Sequence, residues 1–326
     1  MSIAKPAAAG FLQGDSLLRP ATVGRALSAV LSRGDSYEPT PQGAFLCHDQ
    51  ISGYYLDFRA KTSSSTAPER LLPAALAQLG LGWWEHGVGG EPAAFDRALE
   101  VSKLLIERAS SDDGNLVWLH DVPVPKYGLH GRYTSALAQG QAASLLVRAH
   151  LRSGDKQLAD LARRAIDPLL DASSDLVTVT SAGMVLEEIP SRPPSHILNG
   201  WISALWGLRD VGEGLAYARA LAGFDDGCRA LAQFLRRYDV GWWSRYSLYP
   251  TSVADLAKPI YHRLHIDQLE VLHRITGDRL YLETARRWRS YDTAARRLRM
   301  LVQKGRFVVA FSRGTLCTGS DELQGT

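Results

Sequence analysis

The chain reads as an all-α protein, an (α/α) toroid-like array of helical hairpins with a short N-terminal arm and minor β elements. Three observations point there. From Arg70 to about Leu301, apolar residues recur at three- and four-residue spacing in segments of ordinary helix length, separated by Gly, Asp and Pro. A phrase recurs: Leu145 to Asp155 followed by Leu158 to Ala165, and Leu269 to Asp278 followed by Tyr281 to Trp288. Each copy carries a Ser/Thr-Gly-Asp turn, in which glycine suits the end of one helix and the next apolar helix begins within a few residues. Between the copies lies a related hairpin, His196 to Leu208 into Leu215 to Tyr238. Repeated helix pairs of this kind curve into a closed or nearly closed ring, with small residues such as the Ala138 to Ala143 run on inner helices and charge on outer ones.

Taken in order, residues 1–68 form an arm. A short helical run spans Val23 to Leu31, Ile51 to Phe58 alternates as a strand does, and Lys61 to Pro68 is a polar linker. The helical domain spans residues 69–301, and residues 302–326 are a C-terminal tail. Leu76, Leu79 and Trp83 share one helix face, and Phe95, Leu99, Ser102 and Ile106 share the next.

Composition narrows the function. At 326 residues, 45% hydrophobic and 22% charged, the chain has apolar material for a sizeable core. Thirty-seven Lys and Arg against 34 Asp and Glu leave a formal charge of +3, too even for a protein that coats nucleic acid. No apolar run is long enough to span a bilayer, and the N-terminus lacks the compact apolar block of a secretory signal, so a cytoplasmic location is expected. Cys47, Cys228 and Cys317 are too few and too scattered for a disulfide framework or a metal knuckle, and neither HExxH nor a phosphate-binding glycine loop occurs. No cofactor or metal is expected.

Three polar clusters fall where inner helices should begin. In Gly131 to Gln141, Tyr133 precedes a helix and reads as a ligand contact, whereas Gln139 and Gln141 on an Ala-rich face either touch ligand or brace neighbouring helices. In Leu186 to Gly200, three prolines stiffen an extended loop that carries Glu187 and Glu188. Adjacent side chains on such a loop point to opposite sides, so at most one glutamate faces a given ligand; a solvated acidic pair is the plainer alternative. Asn199 is a ligand contact or a helix brace. The third cluster runs from Trp242 to Tyr249 and from Tyr261 to Leu269. A helix starting near Tyr261 stacks Tyr261, His265 and Leu269 at four-residue spacing, as in a pocket floor. His262 and His265 lack a clear third metal ligand, and Trp242 and Trp243 either stack on sugar or fill the core.

These residues resemble a known family. Glu187 to Gly200 is similar to the EEYPTxPSSxVLNG segment of the D-glucuronyl C5-epimerases, which convert glucuronic to iduronic acid units in heparan-type polysaccharides. Ser244-Arg-Tyr246 resembles that family's SRYDL element, Tyr261 to Leu269 its YHxxHIxQL element, and Tyr133 to Gln141 its WYSAMAQGQ element. The four occur in the family's order over residues 130 to 290. The resemblance implies its C-terminal helical domain; the β-rich domains that precede it in animal enzymes have no counterpart of adequate length here. It also implies that Glu188 is the catalytic glutamate and that Tyr246 and Tyr261 are tyrosines needed for activity. Ile189 stands where the family has a third such tyrosine, and Tyr249 where it has an arginine that helps hold the sugar carboxylate.

The chemistry is removal of the C5 proton, α to a carboxylate, and return of a proton to the other face. The reading assigns Glu188 as base, Tyr261 as acid/base opposite and Tyr246 as ring-orienting. Tyr133, Gln139, Asn199, Arg245, His262 and His265 bind substrate, with Arg245 replacing the missing cation. The expected partner is an acidic polysaccharide or oligosaccharide, with no nucleic acid, and a homodimer is the expected assembly. Rival readings are a uronate polysaccharide lyase, a non-catalytic glycan-binding protein and a packing scaffold.

Overall fold

A computed structural model describes residues 72–88 and 92–312. The arm's helical run, strand and linker, and also Cys47 and Cys317, lie outside the described residues. Nine helices dominate what is described: α1 Pro73–Val88, α2 Ala93–Glu107, α3 Ala136–Ser153, α4 Lys156–Ile166, α5 Leu198–Gly214, α6 Ala218–Phe234, α7 Pro259–Thr276, α8 Arg279–Arg289 and α9 Ala294–Ser312. Two small antiparallel hairpins interrupt them, β1 Ser110–Asp112 with β2 Asn115–Val117, and β3 Val177–Thr180 with β4 Gly183–Leu186. None of the described helices is long and apolar enough to cross a membrane.

The helices pair as hairpins, α1 with α2, α3 with α4, α5 with α6 and α7 with α8, and the first members pack in succession from α1 through α3 and α5 to α7. Burial separates two layers. Every residue of α3 from Ala136 to Ala149 is buried, and so is α5 through Gly214 with few exceptions, whereas α4, α6 and α8 each bury one face. That is the expected toroid-like array of helical hairpins, with small residues inside and charge outside. The inner contact is tight because it is made by backbone. A Cβ on Gly207 would lie 2.3 Å from the Gly140 Cα, and one on Gly140 would lie 2.7 Å from the Ala204 Cα. A buried ion pair, Arg148 to Asp210 at 2.5 Å, also joins α3 to α5.

The repeated turn takes the same form twice. Gly154 (φ 74°) and Gly277 (φ 75°) end α3 and α7 in the left-handed conformation. Asp155 and Asp278 then accept from the Gln157 and Leu280 amides at 2.9 Å, capping α4 and α8.

Two expectations need correcting. The buried face of α2 is Ala94, Ala98, Val101, Ser102, Leu104 and Leu105, with Phe95 and Ile106 only half-buried, because alanines let α2 lie close against its neighbours. And the boundary at 301/302 falls inside a helix: α9 runs to Ser312, with Phe307 buried and Lys304 bonded to Asp255 at 2.6 Å. Trp243 is core, its indole N–H donating to the Ala257 carbonyl at 2.7 Å, whereas Trp242 is half-buried beneath the Arg299 guanidinium.

Candidate active site

The loop from Glu187 to Ile197 is built around its first residue. The Glu187 backbone ties together two elements, its N–H donating to the Leu176 carbonyl at 2.8 Å and its carbonyl accepting from Ala136 at the start of α3. Its buried carboxylate accepts from Thr178 Oγ1, Ser195 Oγ and the His196 amide at 2.9, 3.1 and 2.8 Å, and lies 2.5 Å from His196 Nδ1. His196 itself holds a left-handed φ of 45°, and the Arg192–Pro193 bond is cis. With Glu187 turned into this network, the next side chain turns the other way.

Glu188 lines a cavity of about 310 Å³, shared with Tyr246, Tyr261, Tyr133, His120 and Lys126. That volume lies at the lower end of the range of about 300–1,000 Å³ for small-molecule sites. Two residues of α5 make room for Glu188 and hold it. Asn199 Nδ2 donates to Glu188 Oε2 at 3.3 Å, and a Cβ at position 200 would lie 2.2 Å from that same oxygen and 2.4 Å from the Glu188 Cβ, so only glycine fits. Burial pushes the Glu188 carboxyl up to about 7, against the opposing influence of the nearby Lys126 charge and the Asn199 hydrogen bond. A carboxyl near neutrality is suited to taking and returning a proton at physiological pH.

The aromatic groups come from three other segments. Tyr261 lies in the first turn of α7, where Pro259 is tolerated because its missing N–H would have no helical partner. Its ring meets that of Tyr246 edge-on, centroids 5.0 Å apart. Tyr246 is fixed by its backbone, donating to the Asp255 carbonyl at 2.7 Å and accepting from Leu198 at 3.1 Å. Tyr133 stacks on His120 at 5.1 Å, across a two-residue bridge of paired backbone hydrogen bonds. Burial and then the Glu188 charge raise the Tyr133 phenol above its ordinary value.

Of the residues expected at the site, Glu188, Tyr246, Tyr261 and Tyr133 come together in this cavity. Asn199 is buried behind Glu188 as a holder, outside the described lining. Gln139 does not line it: its amide accepts from the Trp118 N–H at 3.1 Å and donates to the Leu116 and Ala165 carbonyls at 2.8 Å, bracing α3 against its surroundings. Gln141 likewise accepts from Gln78 at 3.1 Å. His262 and His265 are also absent from the described lining. Their Nδ1 atoms share the Ser244 hydroxyl at 2.8 and 3.1 Å, His262 Nε2 lies 3.0 Å from the Trp288 carbonyl, and the His262 ring stacks on Trp243 at 3.9 Å. Burial holds His262 down at about 4 and His265 well below its ordinary value, so neither offers a cation at neutral pH. Arg245 is half-buried outside the lining, its charge disfavoured by burial and by Arg237.

Sequence reasoning missed His120 and Lys126. Lys126 sits in the turn Pro125–Tyr127 and pairs with Asp255, which also accepts from Lys304 at 2.6 Å and from the Ser247 hydroxyl at 2.8 Å. The available signal was a lone lysine in the apolar, proline-rich stretch Val122 to Tyr127, just ahead of the Tyr133 motif.

The chain is similar to several known proteins. A 28% identical stretch of 213 residues, 59% of this chain and 66% of the other, is shared with an uncharacterized protein of Methanocaldococcus jannaschii. The D-glucuronyl C5-epimerase of Caenorhabditis elegans is 30% identical over 176 residues, 48% of this chain and 28% of that enzyme, so the matches span less than two thirds of either relative. Among solved structures, the unsaturated glucuronyl hydrolase of Bacillus sp. GL1, described as responsible for the degradation of glycosaminoglycan, aligns with a TM-score of 0.46 at 13% identity, covering 84% of this chain and 74% of that one. Residues 115–290, more than half of the sequence, match the family described as D-glucuronyl C5-epimerase C-terminus, and the chain belongs to that family.

Proposed function

We propose that the protein is a uronosyl C5-epimerase-like isomerase acting on a glucuronic-acid-containing polysaccharide or oligosaccharide. The observation that carries this reading is the convergence of Glu188, Tyr246 and Tyr261, from three separate segments, on one cavity. Glu188 takes the C5 proton as its carboxylate. Electrons from the C–H bond pass into the adjacent carboxylate to give an enolate-like dianion, and the Tyr261 phenol returns a proton to the other face of C5. The reverse reaction exchanges these roles, and no electron acceptor is required. Tyr246 packs against Tyr261 and orients the ring. Asn199 steadies Glu188, and Tyr133 lines the same cavity as an aromatic wall.

Two family positions differ in this chain. Ile189, at the place of the family's third tyrosine, is buried in the cavity wall, and Tyr249, at the arginine position, packs edge-on against Tyr127 at 5.2 Å. The reading therefore rests on two tyrosines and one glutamate.

The test is incubation of the full chain in deuterium oxide with glucuronate-containing oligosaccharides, followed by NMR at C5. Deuterium uptake accompanied by iduronate is expected. Absence of label on any uronate polymer would reject the reading, and a rise in ultraviolet absorbance from an unsaturated product would identify a lyase instead.

A further inference from the structure

Removing a proton α to a carboxylate places a second negative charge on that group, so the site needs hydrogen-bond donors or cations where the carboxylate sits. Of the residues expected to supply them, Arg245, His262 and His265 lie outside the described lining. Lys126 is the one lysine or arginine among the described residues that line the cavity.

Its surroundings hold it there. Lys126 and Lys304 both pair with Asp255, so two ammonium groups share one carboxylate and the trio carries a net positive charge, felt by the Glu188 carboxylate across the cavity. Lys304 also donates to the Leu256 carbonyl at 2.8 Å. The Lys126 ammonium lies over the rings of Tyr127, Tyr246 and Phe307, at 4.7, 5.1 and 5.2 Å from their centroids. An ammonium has three N–H donors. Asp255 is the hydrogen-bond acceptor described for this one, and the other two donors have no acceptor among the described residues. Nor does an ion pair join Lys126 to Glu188 among them. Lys304 and Phe307 come from α9, which lies beyond residues 115–290 of the family match, so part of this support is added from outside the matched region.

We propose that Lys126, held by Asp255 and backed by Lys304, anchors the carboxylate of the uronate, giving the cavity its preference for acidic over neutral sugar and stabilising the charge that develops when the C5 proton leaves. Burial lowers the Lys126 ammonium from its ordinary value, and an incoming carboxylate compensates that loss of solvation. The identity of the anion rests on the proposed function; the choice of Lys126 does not.

The experiment measures binding of a glucuronate-terminated oligosaccharide, its carboxyl-methyl ester and the matching glucose-terminated oligosaccharide to the full chain and to Lys126→Met, by calorimetry. The wild type is expected to bind the acid about tenfold or more tightly than the ester or the neutral sugar, the scale of a charge-assisted hydrogen bond. Lys126→Met is expected to bind all three alike. Equal binding of acid and ester by the wild type, or no binding of the acid, overturns the proposal without reference to the variant. So does a folded Lys126→Met protein that keeps the preference for acid. C5 label exchange separates this from the epimerase reading. Lys126-dependent preference for acid in a protein that exchanges no C5 hydrogen sustains the anchor and removes the epimerase; normal exchange with an acid preference indifferent to position 126 does the reverse.

Discussion

Glu187 and Glu188 are neighbours on one loop, and the two sides of that loop are built for different purposes. On the Glu187 side the carboxylate meets Thr178, Ser195 and His196 in a closed set of partners. On the Glu188 side there is one hydrogen bond among the described residues, a glycine in place of a side chain, and a cavity. A buried carboxylate with several donors fixes backbone; one with a single donor and an open space keeps a proton that can be exchanged. The first makes the second possible, because saturating Glu187 commits the chain to presenting Glu188 on the other side.

The largest effect should come from breaking the closed side. Glu187→Ala removes the acceptor of the His196 amide and the Thr178 hydroxyl, leaving the Ser195 hydroxyl only the Ile189 carbonyl, and is expected to cost about 3 kcal/mol or more of stability, read as a lower denaturation midpoint in urea, with activity lost along with it.

The open side has a pH signature. Because the folded Glu188 carboxyl titrates near 7, above its ordinary value, the folded state holds the proton more tightly than the unfolded chain. The resulting stabilisation is present below about 4.5 and is lost as pH rises toward 7, a change of roughly 3 kcal/mol. Asp267, raised to about 7 chiefly by burial, adds a slope of the same sign, so the informative quantity is the difference between wild type and Glu188→Gln. The variant is expected to lose stability less steeply from pH 5 to 8. Parallel curves would show that Glu188 is not held near neutrality.

A smaller and more selective change lies at Gly200. Gly200→Ala would put a methyl group against the Glu188 Cβ and carboxylate, displacing the base while leaving the Glu187 network untouched. An activity loss of about tenfold to a hundredfold is expected, with a stability loss of about 1–3 kcal/mol from overpacking, smaller than that of Glu187→Ala, by far-UV-monitored melting. Equal damage to both would mean that the two sides of the loop are not separable.

The helical hairpins were legible in the sequence because their signals are local: the Ser153-Gly154-Asp155 and Thr276-Gly277-Asp278 turns carry their own caps, and apolar spacing marks the faces between them. Glu188, Tyr246 and Tyr261 were legible through motifs whose order survives in the chain. The misplacements share one cause. Gln139, His262 and His265 are polar residues at helical positions that point equally well at a ligand or at a buried partner, and the partners that decide, the Leu116 and Ala165 carbonyls and Ser244, come from distant segments. Lys126 was passed over for the complementary reason. Its partners Asp255 and Lys304 are 129 and 178 positions away in the chain, and no local pattern announces them. The 301/302 boundary failed because the apolar spacing of α9 is interrupted by arginine and lysine, whose stems and charges are used on Trp242 and Asp255.

The central claim, a glutamate and a phenol serving the two faces of one uronate, is tested most directly by C5 hydrogen exchange from glucuronate in Glu188→Gln and Tyr261→Phe. Tyr261→Phe is expected to take up deuterium at C5 without inversion, because Glu188 still removes and returns the proton on its own side. Glu188→Gln is expected to lose exchange from glucuronate by about a hundredfold or more. Exchange at the wild-type rate in a folded Glu188→Gln protein would contradict the account.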